Sequence, residues 1–339
     1  MKITLFNGLN DIKIEERDMP KAGPKDVVLK TLKAGICGTD INILKTGNGQ
    51  MGIRLGSEFG HEVAAEVIEV GENVSPDIKV GMRVGVNPIT ARKQGKMVSC
   101  EFGGFSEYSL VEDAQLNYNL YAIPDHMSSA AAALVEPLSV GRHGAFSINP
   151  QIDENIVVLG AGPIGLCAAS SLIAEGITNV CVVDIDPMRL EMAEKLGAKV
   201  INTANEPIAE GLIRHFGQKP TFFGMPLPNV HGYIDAAGAP SLFNEVLKVA
   251  NEQTRFAIVA VYKQPMEIDF GQMMGFELNI RGASGYTHED IMKVIENLSE
   301  KKTPIESIIT HTYKFEDIRE AFDKAIEMKD TIKVIVDFE

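Results

Sequence analysis

Four positions in this chain carry donor atoms suited to a metal ion. Cys37, in Gly35-Ile36-Cys37-Gly38-Thr39-Asp40, offers a soft thiolate. His61, in Gly60-His61-Glu62, offers an imidazole. Glu62 and the distant Glu136, the latter followed by Pro137, offer carboxylates. Zn²⁺ takes such a mixture of sulfur, nitrogen and oxygen. A purely structural or lytic zinc site announces itself by paired CxxC or by HExxH, and the chain has neither. A mixed Cys/His/carboxylate set leaves a coordination position for water or substrate, which is what a catalytic metal needs. One cysteine and one histidine say little by themselves in a chain of 339 residues. Their weight comes from a second motif.

That motif begins at Asn155. Ile156-Val157-Val158-Leu159 reads as a short buried strand running into Gly160-Ala161-Gly162-Pro163-Ile164-Gly165, with helical sequence from Leu166 to Ala174. Val180-Cys181-Val182-Val183 reads as the next strand and ends at Asp184, nineteen positions after Gly165. A GxGxxG alone is weak, but strand, glycines, helix, strand and acid together are the dinucleotide-binding fingerprint. Gly160 permits the tight turn, Gly162 lets backbone approach a pyrophosphate, and Gly165 lets the helix pack on the strand. The helix N-terminus then holds the phosphates. Asp184 is expected to accept hydrogen bonds from the adenosine ribose, and its charge would repel a 2′-phosphate, so NAD is expected over NADP. Asp186 is the rival acid, but it lies past the strand and reads as solvated or capping.

The elements that must position these residues fall in two kinds. The front third reads as short strands and turns: Ile12 to Glu16, Asp26 to Lys30, Val63 to Val70 and Gly81 to Val86, with Pro20, Gly23 and Pro24 between the first two. Loops are expected to carry Cys37 and His61. Residues 128–147 read as helical, with Ser128-Ser129 as a cap and Glu136 among apolar residues, where a carboxylate must be paired or metal-bound. After Asp184, Pro187 starts a helix through Leu196 and Lys199-Val200-Ile201 a third strand, a parallel β-α-β-α-β order. Strands at Gly232 to Asp235, Arg255 to Val261 and Leu278 to Gly282, with a helix at 240–250, continue it. Residues 217–229 read as an extended loop in a packing or subunit contact. Helices at His288 to Leu298 and Glu316 to Met328 and a closing strand at Lys333 to Val336 finish the chain.

Bulk properties exclude several functions. Apolar residues are 45% and charged residues 23% of the chain, ordinary for a globular protein. A net charge of −14 leaves no basic excess for nucleic acid or an anionic membrane surface. No apolar run spans a membrane and no export signal opens the chain, so a cytoplasmic setting is expected. Cys100, Cys167 and Cys181 read as inert thiols, the first in a loop or edge and the others in the core. His126, His215, His231, His288 and His311 read as surface residues, and His143 as a helix-packing one.

In their order along almost the whole chain, GICGTD, GHE with VAAEVIEVGENV, KVGMRVGV, GGFSEY, VEPLSVGRH, VLGAGPIG and VVDID-P-RL resemble a zinc-dependent medium-chain dehydrogenase/reductase. Glu136 in EPLSV resembles the polyol, sorbitol-like branch, where plain alcohol dehydrogenases carry cysteine. The resemblance implies an α/β protein in which a GroES-like β-rich catalytic domain, residues 1–138 and 286–339, accompanies a doubly wound Rossmann domain, residues 139–285. It implies one catalytic zinc near Cys37, His61, Glu62 and Glu136, either glutamate binding directly or through water. It implies NAD held by Gly160, Gly162, Pro163, Ile164, Gly165, Asp184 and Arg189, and a homodimer or homotetramer. Three departures stand out. Residues 87–104 hold only Cys100 where many relatives carry four cysteines for a structural zinc, so none is expected. Asn42 stands where a proton-relay histidine is frequent. Gly285-Tyr286 stands where sorbitol dehydrogenases carry an Arg-Tyr pair. The expected reaction is oxidation of a secondary alcohol to a ketone, with Thr39 taking the proton and Glu62 and Glu136 beside the metal. Butanediol- or threonine-type oxidation, a non-catalytic nucleotide-binding regulator and a zinc-free quinone reductase are the alternatives.

Overall fold

The computed structural model describes residues 1–47, 53–222 and 224–339. The chain divides into two compact units, Met1–Glu136 with Ile291–Glu300 and Ile309–Glu339, and Pro137–Asp290 with Lys301–Ile308.

The first unit is built on a seven-stranded sheet. Its central strand, Val27–Gly35, pairs antiparallel with Glu62–Val70 and Lys333–Asp337, and with Tyr108–Val111 along its first half. Arg83–Val86 and Leu120–Ala122 extend one side, and Ile309–Lys314 lies parallel to the closing strand on the other. The β-branched run Val27-Val28 and the alternation from Val63 to Val67 place apolar side chains in cores on both faces. One core centres on the rings of Phe59, Phe105 and Phe322, with centroids 5.2–5.6 Å apart. Helix Ile318–Glu327 supplies Phe322 and buries Ile318, Ala321, Phe322 and Ala325, a single stripe at helical spacing. The stretch after Cys37, read from sequence as loop, is instead a helix, Gly38–Thr46. Its acidic first turn and left-handed Gly47 are the capping signals that the short length obscured.

The second unit is a six-stranded parallel sheet in the order Lys199–Asn202, Val180–Asp184, Ile156–Leu159, Gly232–Asp235, Arg255–Ile258 and Asn279–Gly282. The chain steps outward from Ile156–Leu159 to one edge, then returns and steps to the other, the doubly wound pattern. The fully apolar Ile156-Val157-Val158-Leu159 is buried on both faces, as a central parallel strand must be. Helices Pro163–Ala174 and Pro187–Lys195 each begin with proline at N1, and Asp186 caps the second by accepting from Met188 N and Arg189 N. Residues 217–229 are not a simple loop. Gln218–Pro220 and Pro226–Pro228 form an isolated antiparallel pair, a ribbon in which three prolines are tolerated because each strand has a free edge. Phe222 and Met225 at its turn are 89% and 59% exposed; Phe223 lies outside the described residues.

A buried charge network closes this unit. Arg142 donates two hydrogen bonds to Glu175, at 2.7 and 2.8 Å, and one to Asp290 at 2.6 Å. His143 Nδ1 meets the other Asp290 oxygen at 2.9 Å, which also accepts from Thr287 N and Oγ1. His143 is thus a packing residue. Burial pushes the Asp290 carboxyl up, but bonds from Thr287, Arg142 and His143 outweigh it and hold the group below the ordinary range.

Candidate functional site

Three chain segments of the first unit converge to make the site. Cys37 is the N-cap of helix Gly38–Thr46, and its N–H donates to Asp40 Oδ2 at 2.9 Å. The second Asp40 oxygen lies 3.6 Å from His61 Nδ1. His61 follows Gly60, whose φ of +91° suits glycine and whose Cβ would sit 2.6 Å from the Phe105 ring. Glu62 opens its strand directly opposite Gly35. A Cβ on Gly35 would overlap the Glu62 carboxylate and press on the Lys333 side chain. That close approach lets Lys333, 1% exposed on the closing strand, form an ion pair with Glu62 and donate to Ile36 O at 3.0 Å.

The outcome is one thiol, one imidazole and one carboxylate whose ligand atoms all lie within 4.8 Å of one another. Zinc bonds of about 2.0–2.3 Å in a tetrahedron put donors roughly 3.5 Å apart, so small side-chain adjustments suffice. The electrostatics fit as well. Burial opposes charge on His61, yet Asp40, the Cys37 sulfur and Glu136 together raise its proton affinity well above the ordinary range. These groups favour positive charge at this spot, and a divalent cation supplies it. Burial pushes the Asp40 carboxyl up to about 6 despite the neighbouring His61. Asp40 faces the imidazole at 3.6 Å, beyond hydrogen-bond distance, on the side where a carboxylate stands behind a metal-bound histidine.

Of the other expected site residues, Glu136 lies on the first turn of helix Val135–Phe146, half-buried and outside the three-residue cluster, though its charge reaches His61. Thr39 and Asn42 are half-buried on helix Gly38–Thr46. Cys100, read from sequence as an inert loop or edge thiol, is buried in the 3₁₀ turn Ser99–Phe102, and burial raises its thiol. Asp40 and Lys333 were not singled out from the sequence. Asp40 sits within GICGTD at the N3 spacing of a capping acid, a legible signal; Lys333 has none, because its partner lies 271 positions away.

Removing one member of a buried ion pair leaves an uncompensated charge, at a cost of about 3–5 kcal/mol. Lys333→Met is accordingly expected to lower the thermal midpoint of chelator-treated protein by several degrees. An unchanged midpoint would show that the Glu62–Lys333 pair carries no structural weight.

In the second unit the glycine loop adopts the geometry of a phosphate cradle. Gly160 has a φ of +95°, and a Cβ on Gly165 would collide with the Gly160 carbonyl. Gly162, the N-cap of helix Pro163–Ala174, has nothing of the protein within 4 Å of where its Cβ would stand, so backbone there is open to a ligand. Pro163 and Ile164 form the first turn. Asp184 ends its strand and accepts from Ala161 N at 2.6 Å, Ile185 N at 2.7 Å and Asp186 N at 2.9 Å. Arg189 lies one turn into the next helix, 3.8 Å from Asp186.

Residues 23–125 match the alcohol dehydrogenase GroES-like domain and residues 163–300 the zinc-binding dehydrogenase family. The L-threonine 3-dehydrogenase of Pectobacterium atrosepticum is 30% identical over 95% of this chain and 89% of its own length. The sorbitol dehydrogenase of Bacillus subtilis is 29% identical over 99% and 97%. The crystal structure of 2R,3R-butanediol dehydrogenase from Bacillus subtilis superposes with a TM-score of 0.86 at 26% identity, covering 100% of this chain and 99% of that one. Among the described residues no helix is long and apolar enough to cross a membrane. A sulfur, nitrogen and oxygen donor cluster on a GroES-like sheet, a dinucleotide cradle on a doubly wound one, and relatives along the full length leave one assignment: the chain is a dehydrogenase of the zinc-dependent medium-chain family, using zinc and a nicotinamide dinucleotide.

Proposed function

We propose that this protein oxidises a secondary hydroxyl of a polyol or sugar alcohol to a ketone, with NAD as acceptor. The observation that carries the reading is the convergence of Cys37, His61 and Glu62 within 4.8 Å. When bound, zinc supplies Lewis acidity toward the substrate hydroxyl and the nicotinamide a hydride acceptor. Cys37, His61 and either Glu62 or Glu136 would hold the metal, Asp40 stands behind His61 at 3.6 Å, and Lys333 pairs with Glu62. Thr39 Oγ1, half-buried, accepts the substrate hydroxyl proton and gives its own to solvent water; Asn42 takes no part, since an amide does not titrate. Gly160, Gly162, Pro163, Ile164, Gly165 and Arg189 line the nucleotide side. The backbone-anchored carboxyl group of Asp184 supports NAD over NADP. Glu136 in EPLSV and the sorbitol dehydrogenase relative support a polyol. We assign 1–138 and 286–339 to the catalytic domain and 139–285 to the nucleotide domain, and expect a cytoplasmic homodimer or homotetramer.

A second reading, oxidation of the L-threonine hydroxyl, is favoured by the 30% identical relative of that name. A panel of polyols, sugar acids, diols and L-threonine, assayed for NADH and NADPH formation on one zinc-quantified sample, separates the readings. Polyol turnover at a higher kcat/KM than L-threonine or 2,3-butanediol is the expected result. Preference for L-threonine, or no polyol turnover by zinc-replete protein, would replace the proposal.

A further inference from the structure

We infer that Tyr262 is a positioning residue for the nicotinamide half of the cofactor, acting through the buried carboxylate of Asp235. The inference rests on the dinucleotide reading of the second unit. In a doubly wound sheet the ligand lies at the carboxyl ends of the strands where the winding reverses, here between Ile156–Leu159 and Gly232–Asp235. Asp184 lies to one side of the glycine loop, on the strand that would take the adenosine ribose. The remaining half of the dinucleotide must therefore extend over the ends of Gly232–Asp235 and Arg255–Ile258.

Asp235 sits at that point, 1% exposed, as the last residue of its strand. Its Oδ1 accepts from Ala237 N and Gly238 N, both at 3.1 Å, closing the turn that packs against Gly160. Its Oδ2 accepts from the Tyr262 hydroxyl at 2.6 Å. The Asp235 carbonyl also takes Val259 N and Ala260 N, at 2.9 Å each. One residue thus ties together the segments that follow two adjacent strands. Just beyond Ala260 the chain turns outward: Val261 is 89% exposed, and Lys263, Gln264 and Pro265 are exposed. Tyr262 alone turns inward among them, half-buried and edge-on to Phe243 at 6.5 Å. Its hydroxyl bond to a buried carboxylate fixes where Val261 stands at the strand ends. Burial and the Asp235 charge both raise the Tyr262 phenol, so it remains a donor across the physiological range.

Tyr262→Phe deletes this bond and keeps the ring. Binding is read by NADH fluorescence titration, and by calorimetry with ADP-ribose, which shares the adenosine and both phosphates but lacks nicotinamide. The variant is expected to bind NADH about tenfold more weakly, the scale of one hydrogen bond to a charged group, and to bind ADP-ribose as the parent does. Equal NADH affinity in variant and parent overturns the role of Tyr262 and leaves the dinucleotide reading standing. Equal losses for NADH and ADP-ribose overturn it in favour of a general structural role. A parent protein that binds neither ligand overturns both.

Discussion

Cys37→Ala protein is expected to purify without zinc and to lose at least ~10³-fold in kcat on the best substrate of the parent. The size follows from what the metal contributes, several kcal/mol of charge stabilisation at the substrate oxygen, with each 1.36 kcal/mol worth about tenfold in rate. Cys37 supplies the one soft donor of the cluster, and nothing among the described residues replaces it within the 4.8 Å group. His61→Ala should behave alike, because it removes the nitrogen donor of the cluster. Elemental analysis and steady-state kinetics on the same preparation check the result. Both variants should also melt lower than the zinc-loaded parent, since a ligand that binds only the folded state stabilises it. Stoichiometric zinc in Cys37→Ala with parental turnover would remove this cluster from the mechanism.

The second large effect is expected at Asp184. Its carboxylate accepts three backbone N–H groups at the end of its strand. A hydrogen bond from a ribose hydroxyl to such a group is worth about 1.5–3 kcal/mol, and the same charge opposes a 2′-phosphate. Asp184→Ser should raise the KM for NAD roughly 10–100-fold while lowering that for NADP, with Arg189 nearby as a phosphate partner. Because Asp184 also anchors Ala161 N, some loss common to both cofactors is expected. The ratio of kcat/KM for the two cofactors isolates the charge effect. An unchanged ratio would place ribose recognition elsewhere.

The dinucleotide half was legible because its determinants are local. Strand, glycines, helix and acid lie within about thirty residues, and each has a backbone reason for its identity. The apolar strands, Asp186 as a cap and the buried Cys167 and Cys181 are likewise written in short-range pattern and burial. The donor types of the metal cluster were legible as chemistry, and their order along the chain as a resemblance. Other features were decided only by folding. The 218–228 ribbon was missed because its prolines argue against strand wherever partners are unknown. The Glu62–Lys333 pair, the Arg142–Asp290 network and the Tyr262–Asp235 bond join residues between 27 and 271 positions apart. Propensity and spacing say nothing about such pairs. A buried charge is tolerated only where the finished fold brings a partner to it, and that meeting is a property of sheet order and register rather than of any single stretch of sequence.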